Sequence, residues 1–214
     1  PRLVEATVLY EDRNFYRHGG VDIPALARAF WTTYIRQTRR VGASTIAMQV
    51  ARMRWRLHTG TLPGKLLQIL RAMQLTRHYA KDDILEAYLN LAPYGGNIEG
   101  IQAASLVYFD KQADQLTLPE ALTLAVVPQN PVHRNPATAD GFANLQTARN
   151  HLLERWLRAH PGDRPELEMA GEHAVAEAIP PQGRQGAAAV AVDHRCAAAV
   201  LQVEPRLEHA EGPH

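Results

Sequence analysis

Apolar residues recur along this chain at helical spacing, and no segment alternates as a half-buried strand would. The pattern predicts a mainly α fold. One helix runs from Pro1 to about Tyr10, and another from Pro24 to about Gln37 with Pro24 suited to its first turn. Ser44 or Thr45 can cap a third, which carries Ile46, Val50 and Met53 on one stripe. His58 to Gly64 reads as a loop, and a helix from Lys65 to about His78 follows with Leu66, Leu70 and Met73 on one face. Asp82 is expected to cap the helix through Leu89, before Pro93-Tyr94-Gly95-Gly96 breaks the chain. Asn97 to Phe109 reads as helical again. Thr117-Leu118-Pro119-Glu120 is a capping box, and Pro128 stops the helix it opens. The last sustained period runs from about Ala139 to His160 through Leu145, Leu152 and Trp156.

From Pro161 onward the period disappears. The remaining 54 residues hold twelve Ala, six Pro and five Gly, which predicts a linker or tail without a packed core. The expected organisation is one helical domain over residues 1–160 and a poorly structured tail over 161–214. The chain begins at Pro1, without a signal-peptide pattern or a run of 18 apolar residues. It is therefore either soluble or a fragment whose anchor lies upstream, and a start at Pro favours the fragment. Cys196 is alone, so no internal disulfide can form, and the ten histidines show no metal-ligand spacing.

Charge adds an asymmetry that net charge hides. From Ile23 to Lys81 there is no Asp or Glu, and eleven Lys and Arg give that window +11, while the other 12 bases against 22 acids leave −10. A segregated field of this kind attracts a polyanion: nucleic acid, an anionic membrane surface or a phosphate-bearing substrate. Within the window, Ala25, Leu26, Ala27, Ala29, Phe30, Trp31, Tyr34 and Ile35 cover most of one helix, and Arg36, Arg39 and Arg40 follow. That suits either partial insertion at a membrane interface or a buried core helix.

Candidate chemistry lies in two stretches. Glu11-Asp12-Arg13-Asn14-Phe15-Tyr16-Arg17-His18-Gly19-Gly20-Val21-Asp22 packs carboxylates, an aromatic, a histidine and a Gly-Gly turn into twelve residues. Adjacent carboxylates on a helix end cannot both face one reacting atom. Glu11 follows an apolar segment that can desolvate it, as a general base needs; by residue type alone the pair is also a solvated helix terminus. Gly42-Ala43-Ser44-Thr45-Ile46-Ala47-Met48-Gln49 sets hydroxyls and an amide at a helix start, where anions bind well.

Read as E-D-x-x-F-x-x-H-x-G-x-D and G-x-S-T-I-x-x-Q, the two stretches resemble the signatures of the peptidoglycan glycosyltransferases, glycosyltransferase family 51. Lys81 to Asn90, Gly95 to Ala104 and Leu124 to Pro131 are similar to later family segments, so the resemblance covers about residues 3 to 158. It implies a lysozyme-like helical domain that polymerises lipid II into a growing glycan strand at the periplasmic face of the bacterial inner membrane. It also implies that a transpeptidase domain normally shares the chain. By that resemblance Glu11 is the catalytic base. Asp12, Phe15, His18, Ser44, Thr45, Gln49, Arg52, Lys65 and Gln68 would surround the substrate, with Arg52 and Lys65 beside the pyrophosphate. No cofactor is required, a divalent cation at the pyrophosphate is compatible, and nucleic acid is not expected as a partner.

The third motif departs from the family. Gly64-Lys65-Leu66-Leu67-Gln68 has glycine for arginine and glutamine for the second glutamate, a variant that resembles the 1C subtype of class A penicillin-binding proteins. A degenerate scaffold that binds lipid II without polymerising it, and a lysozyme-like glycan hydrolase, are the competing readings. The basic window argues against the hydrolase, since a neutral glycan needs no pyrophosphate clamp.

Overall fold

A computed structural model describes residues 1–31, 44–136 and 138–169. The described residues form helices and contain no strand, only an isolated antiparallel bridge between Pro93 and Glu99. The helices are α1 (Arg2–Glu11), α2 (Ile23–Phe30), α3 (Ile46–Arg54), α4 (Leu62–His78), α5 (Lys81–Leu91), α6 (Ile101–Phe109), α7 (Leu118–Ala125), α8 (Ala139–Ala159) and α9 (Arg164–Met169). The mainly α expectation holds. The expected far end of the second helix, with Arg36, Arg39 and Arg40, lies outside the described residues, as does the tail from residue 170.

Caps explain most of the boundaries. The Thr45 hydroxyl accepts from Met48 N at 3.2 Å and starts α3. Asp22 does the same for α2, accepting from Ala25 N at 2.9 Å. Glu120 accepts from Thr117 N at 2.8 Å at the head of α7, as the capping pattern predicts.

Several boundaries differ from expectation. α4 starts three residues early, at Leu62, because Thr61 Oγ1 accepts from Gly64 N and Pro63 fits a first turn that has no N–H to satisfy. The start of α5 is secured by Asp83, which accepts from Ala80 N at 3.2 Å. Asp82, expected there, instead accepts the Tyr16 hydroxyl at 3.0 Å. α6 begins only at Ile101, since residues 97–100 close a turn in which Gly100 N donates to Ala92 O and Tyr94 N to Ile98 O. Past Pro161 the chain makes a 3₁₀ turn and α9; Trp156 Nε1 donates to Asp163 Oδ2 at 2.8 Å and Leu167 packs on the core.

The core is continuous. α3 packs on α4 and α5, while α1 packs on α7 and α8. Trp156, Tyr88, Tyr94, Tyr108 and Phe15 are its largest fully buried side chains, each supplying far more apolar area than an aliphatic residue. The stripe expected on α3 is inside, with Ile46 and Val50 buried and Met53 packed against the core.

On α4 the apolar stripe faces outward. Leu66, Leu70 and Met73 share one face as expected, yet they are 61%, 63% and 48% exposed, and Leu62 extends the stripe. The buried face is Gln68, Ala72 and Leu75. α2 is split similarly: Ala29 is buried and Leu26 packs on the core, but Ile23 and Trp31 are exposed.

The turn after α1 approaches α4 where only glycine fits. Gly20 has φ +95°, and a Cβ there would lie 2.5 Å from Ala72 O and 2.8 Å from Thr76 Oγ1. Gly20→Ala is expected to lower unfolding stability by about 1 kcal/mol or more, read by urea denaturation; an unchanged midpoint would show that the turn can move aside.

Candidate active site

Glu11 is the last residue of α1 and Asp12 its cap, so the two carboxylates diverge. Asp12 is buried and turns inward. Its oxygens accept from His18 Nε2 at 2.9 and 3.0 Å and from Ile46 N at 3.1 Å. Because a carboxylate only accepts, the His18 proton sits on Nε2. The same turn is tied to α3 by Thr45, whose hydroxyl donates to Gly20 O at 2.6 Å. Lys81 closes the turn from α5: its ammonium donates to His18 O at 2.7 Å and lies 4.5 Å from the centre of the Phe15 ring.

With α3 fixed against α1, Gln49 one turn along donates from Nε2 to Glu11 Oε2 at 2.6 Å. The other oxygen, Oε1, is buried and has no hydrogen-bond partner among the described residues. Burial pushes the Glu11 pKa above the usual glutamate range, against opposing pulls from the Gln49 hydrogen bond and the charges of Arg134 and Arg52. Tyr88 and Tyr94 lie within its field, and burial together with the Glu11 charge holds both phenols well above their ordinary value. Glu11 therefore offers an oxygen held by Gln49 and a raised proton affinity, which is what a general base needs.

On the other side of the α3 start the chemistry is cationic. Lys65 Nζ donates to Ser44 Oγ at 2.9 Å and to Gln68 Oε1 at 2.8 Å. Burial and the neighbouring Arg52 lower the Lys65 pKa. Arg52 is exposed on α3 and acts electrostatically on both Glu11 and Lys65. This side suits a divalent cation poorly: Lys65 and Arg52 bring positive charge to it, and among the described residues no group of three or more His, Cys, Asp or Glu gathers to hold a metal ion.

A cleft of about 560 Å³ opens beside Glu11, with Asp12, Ser44 and Thr45 in its wall. Of the residues expected around a substrate, Asp12, Ser44 and Thr45 line it beside the expected base Glu11, while Arg52 and Lys65 do not. Phe15 is fully buried and His18 mostly so, both behind the turn; Gln49 is buried against Glu11, and Gln68 is 2% exposed beneath Lys65. Arg13, Arg17, Arg28 and Arg155 also line the cleft, and none was singled out in sequence. Arg28 belongs to the acid-free window, which was a usable signal. Arg155 comes from α8 and donates to Leu9 O, and Arg134 donates to the Tyr10 hydroxyl at 2.7 Å and to Val126 O at 2.6 Å. Both arrive through tertiary packing alone.

The raised Glu11 pKa has a consequence for stability. The folded state holds this proton more tightly than the unfolded chain, so the contribution is full below the unfolded value and is lost as pH rises through the folded one. Glu11→Gln keeps an oxygen for Gln49 and removes the cost of a desolvated charge. Its urea midpoint is expected to match wild type near pH 4 and to exceed it at pH 8; a gap that is constant with pH or of opposite sign would contradict the desolvation.

Comparison with known proteins bears directly on this arrangement. The family described as Transglycosylase matches residues 1–157. Penicillin-binding protein 1C of Escherichia coli (strain K12) is 44% identical over 175 residues, 82% of this chain and 22% of that protein. Penicillin-binding protein 2D of Bacillus subtilis (strain 168) is 41% identical over 136 residues, 64% of this chain and 20% of that protein. Penicillin-binding protein 1A of Rickettsia typhi (strain ATCC VR-144 / Wilmington) is 31% identical over 156 residues, 72% of this chain and 20% of that protein. The chain thus spans about a fifth of the length of these curated relatives. Its matched span includes both opening motifs and every helix from α1 to most of α8, and the chain belongs to the transglycosylase family.

Proposed function

We propose that this chain is a peptidoglycan glycosyltransferase domain that polymerises lipid II into β-1,4-linked glycan with inversion. The observation that carries the reading is the pairing, across the first turn of α3, of a desolvated carboxylate held by Gln49 with the Lys65–Ser44 anion site. The Glu11 carboxylate accepts the proton of the acceptor's 4-hydroxyl as that oxygen attacks the anomeric carbon of the donor. The new C–O bond forms while the bond to the lipid pyrophosphate breaks, and the electron pair leaves on the pyrophosphate oxygen. Charge growing on that oxygen is met by Lys65, Arg52 and the Ser44 hydroxyl, which are in place before it develops.

The working surface in this reading is a membrane. The exposed stripe Leu62, Leu66, Leu70 and Met73 on α4, with Ile23 on α2 and Trp31 just past its end, offers apolar side chains within the acid-free, basic part of the sequence. An apolar face with cationic surroundings suits an anionic bilayer interface. No helix of the described residues is long and apolar enough to cross a membrane. Such a face would seat the domain where a lipid-linked donor presents its pyrophosphate. The periplasmic face of the inner membrane and a transpeptidase domain in the same protein belong to this proposal. Residues 1–160 are its catalytic domain and 161–214 its linker or tail.

Labelled lipid II in vesicles is expected to be converted to long glycan, and Glu11→Gln to lower the rate by about 10²-fold or more with the circular dichroism spectrum unchanged. Binding without polymer would select the scaffold reading, and release of soluble sugars from preformed glycan the hydrolase. In a second assay, Leu66→Ser with Leu70→Ser is expected to reduce sedimentation with anionic vesicles severalfold; equal sedimentation would remove α4 from the membrane face.

A further inference from the structure

Gln68 stands where the third family motif has a glutamate, and its surroundings are built for an amide. It lies on the buried face of α4, 2% exposed. Its Oε1 accepts from Lys65 Nζ at 2.8 Å, and its Nε2 donates to Met48 O on α3 at 2.6 Å. The orientation is forced. An ammonium has only donors and a backbone carbonyl only lone pairs, so the amide must point its oxygen at Lys65 and its nitrogen at Met48. A carboxylate in the same rotamer would set an acceptor against the Met48 carbonyl with no hydrogen between them. It would also place a negative charge beside Lys65.

Lys65 is otherwise uncompensated. Among the described residues its hydrogen-bond partners are the neutral Ser44 hydroxyl and the neutral Gln68 amide. The charge acting on it is that of Arg52, which is repulsive. No Asp or Glu occurs between Ile23 and Lys81, and the carboxylate within the field of Arg52 is that of Glu11. Lys65, beside the start of α3, thus has no carboxylate among its hydrogen-bond partners, and a bound diphosphate would relieve the repulsion from Arg52 in the last turn of that helix.

We propose that Gln68 is a neutral positioning residue that pins α4 to α3 and seats Lys65 as an uncompensated cation for the diphosphate of the donor. The inference rests on the glycosyltransferase reading for the identity of the anion, but not for the brace itself. Gln68 touches no substrate in this account; it acts through Lys65. Glutamate at this position is then a handicap in this chain: it would neutralise the cation that the leaving group needs and lose the tie to Met48.

Opposite shifts of one titration test this. The Lys65 side chain is followed by ¹³C NMR of the ε-carbon against pH in wild type, Gln68→Glu and Gln68→Met. Gln68→Glu is expected to raise the Lys65 midpoint by about one pH unit or more, because the ammonium gains an anionic partner. Gln68→Met is expected to lower it, because the charged form loses an acceptor while burial and Arg52 remain. Calorimetry with inorganic pyrophosphate at pH 7.5 is expected to show affinity reduced about tenfold in Gln68→Glu and reduced less in Gln68→Met, which unseats the ammonium but leaves its charge uncompensated. A filler of shape alone would give lower unfolding midpoints in both variants with the Lys65 titration unmoved, and that result overturns the proposal. So does Gln68→Glu binding pyrophosphate as tightly as wild type. If Gln68→Glu does not fold, the fall in Gln68→Met still decides. Opposite Lys65 shifts in a wild-type protein that neither binds pyrophosphate nor polymerises lipid II would retain the brace and reject the glycosyltransferase reading.

Discussion

The structure turns on the carboxylate of Asp12. It is buried where three parts of the chain meet: the end of α1, the turn carrying His18, and the first peptide of α3. A buried charge is tolerated only when its lone pairs are filled, and here an imidazole N–H and a backbone N–H fill them. The backbone donor is one of the orphan N–H groups at a helix start. Asp12 therefore does two things: it satisfies the α3 terminus and fixes its position relative to α1. Because Glu11 is its neighbour in sequence, that fixes the catalytic candidate too, with Gln49 one turn along α3 brought to 2.6 Å.

From this seam the charges sort themselves to two sides. Glu11 lies in a desolvated pocket among buried tyrosines, while Lys65 and Ser44 lie on the other side of the helix start, with Arg52 in the last turn of α3. One short helical turn thus separates a group suited to take a proton from a group suited to receive negative charge. The acid-free window of the sequence has a structural meaning here. With no carboxylate available within it, Lys65 is held by an amide and a hydroxyl, and its charge stays unspent.

Much of this was legible in the sequence, for a physical reason. Cap residues act locally, so Thr45 and the Thr117–Glu120 pair could be read directly. Proline and glycine misled at Pro63 and Gly64, since both are tolerated in a first turn. The face of α4 could be found but not its direction: periodicity reports that Leu66, Leu70 and Met73 line up, and is silent on whether protein or something else covers them. Arg134 and Arg155 were invisible because they reach the Glu11 region from a loop and a helix more than a hundred residues away. Gln68 looked like a lost acid in the motif. Its partner, the Met48 carbonyl, is a backbone group that no side-chain pattern reveals.

Catalysis by Glu11 depends on the proton affinity of one oxygen pair. Selective ¹³C labelling of glutamate, with the Glu11 carboxyl resonance assigned by its absence in Glu11→Gln, gives that affinity in the folded protein without reliance on any assay of activity. The expected midpoint lies clearly above the usual glutamate value of about 4.3. A midpoint at or below that value would mean that Glu11 is solvated or ion-paired, and would contradict its role as the base.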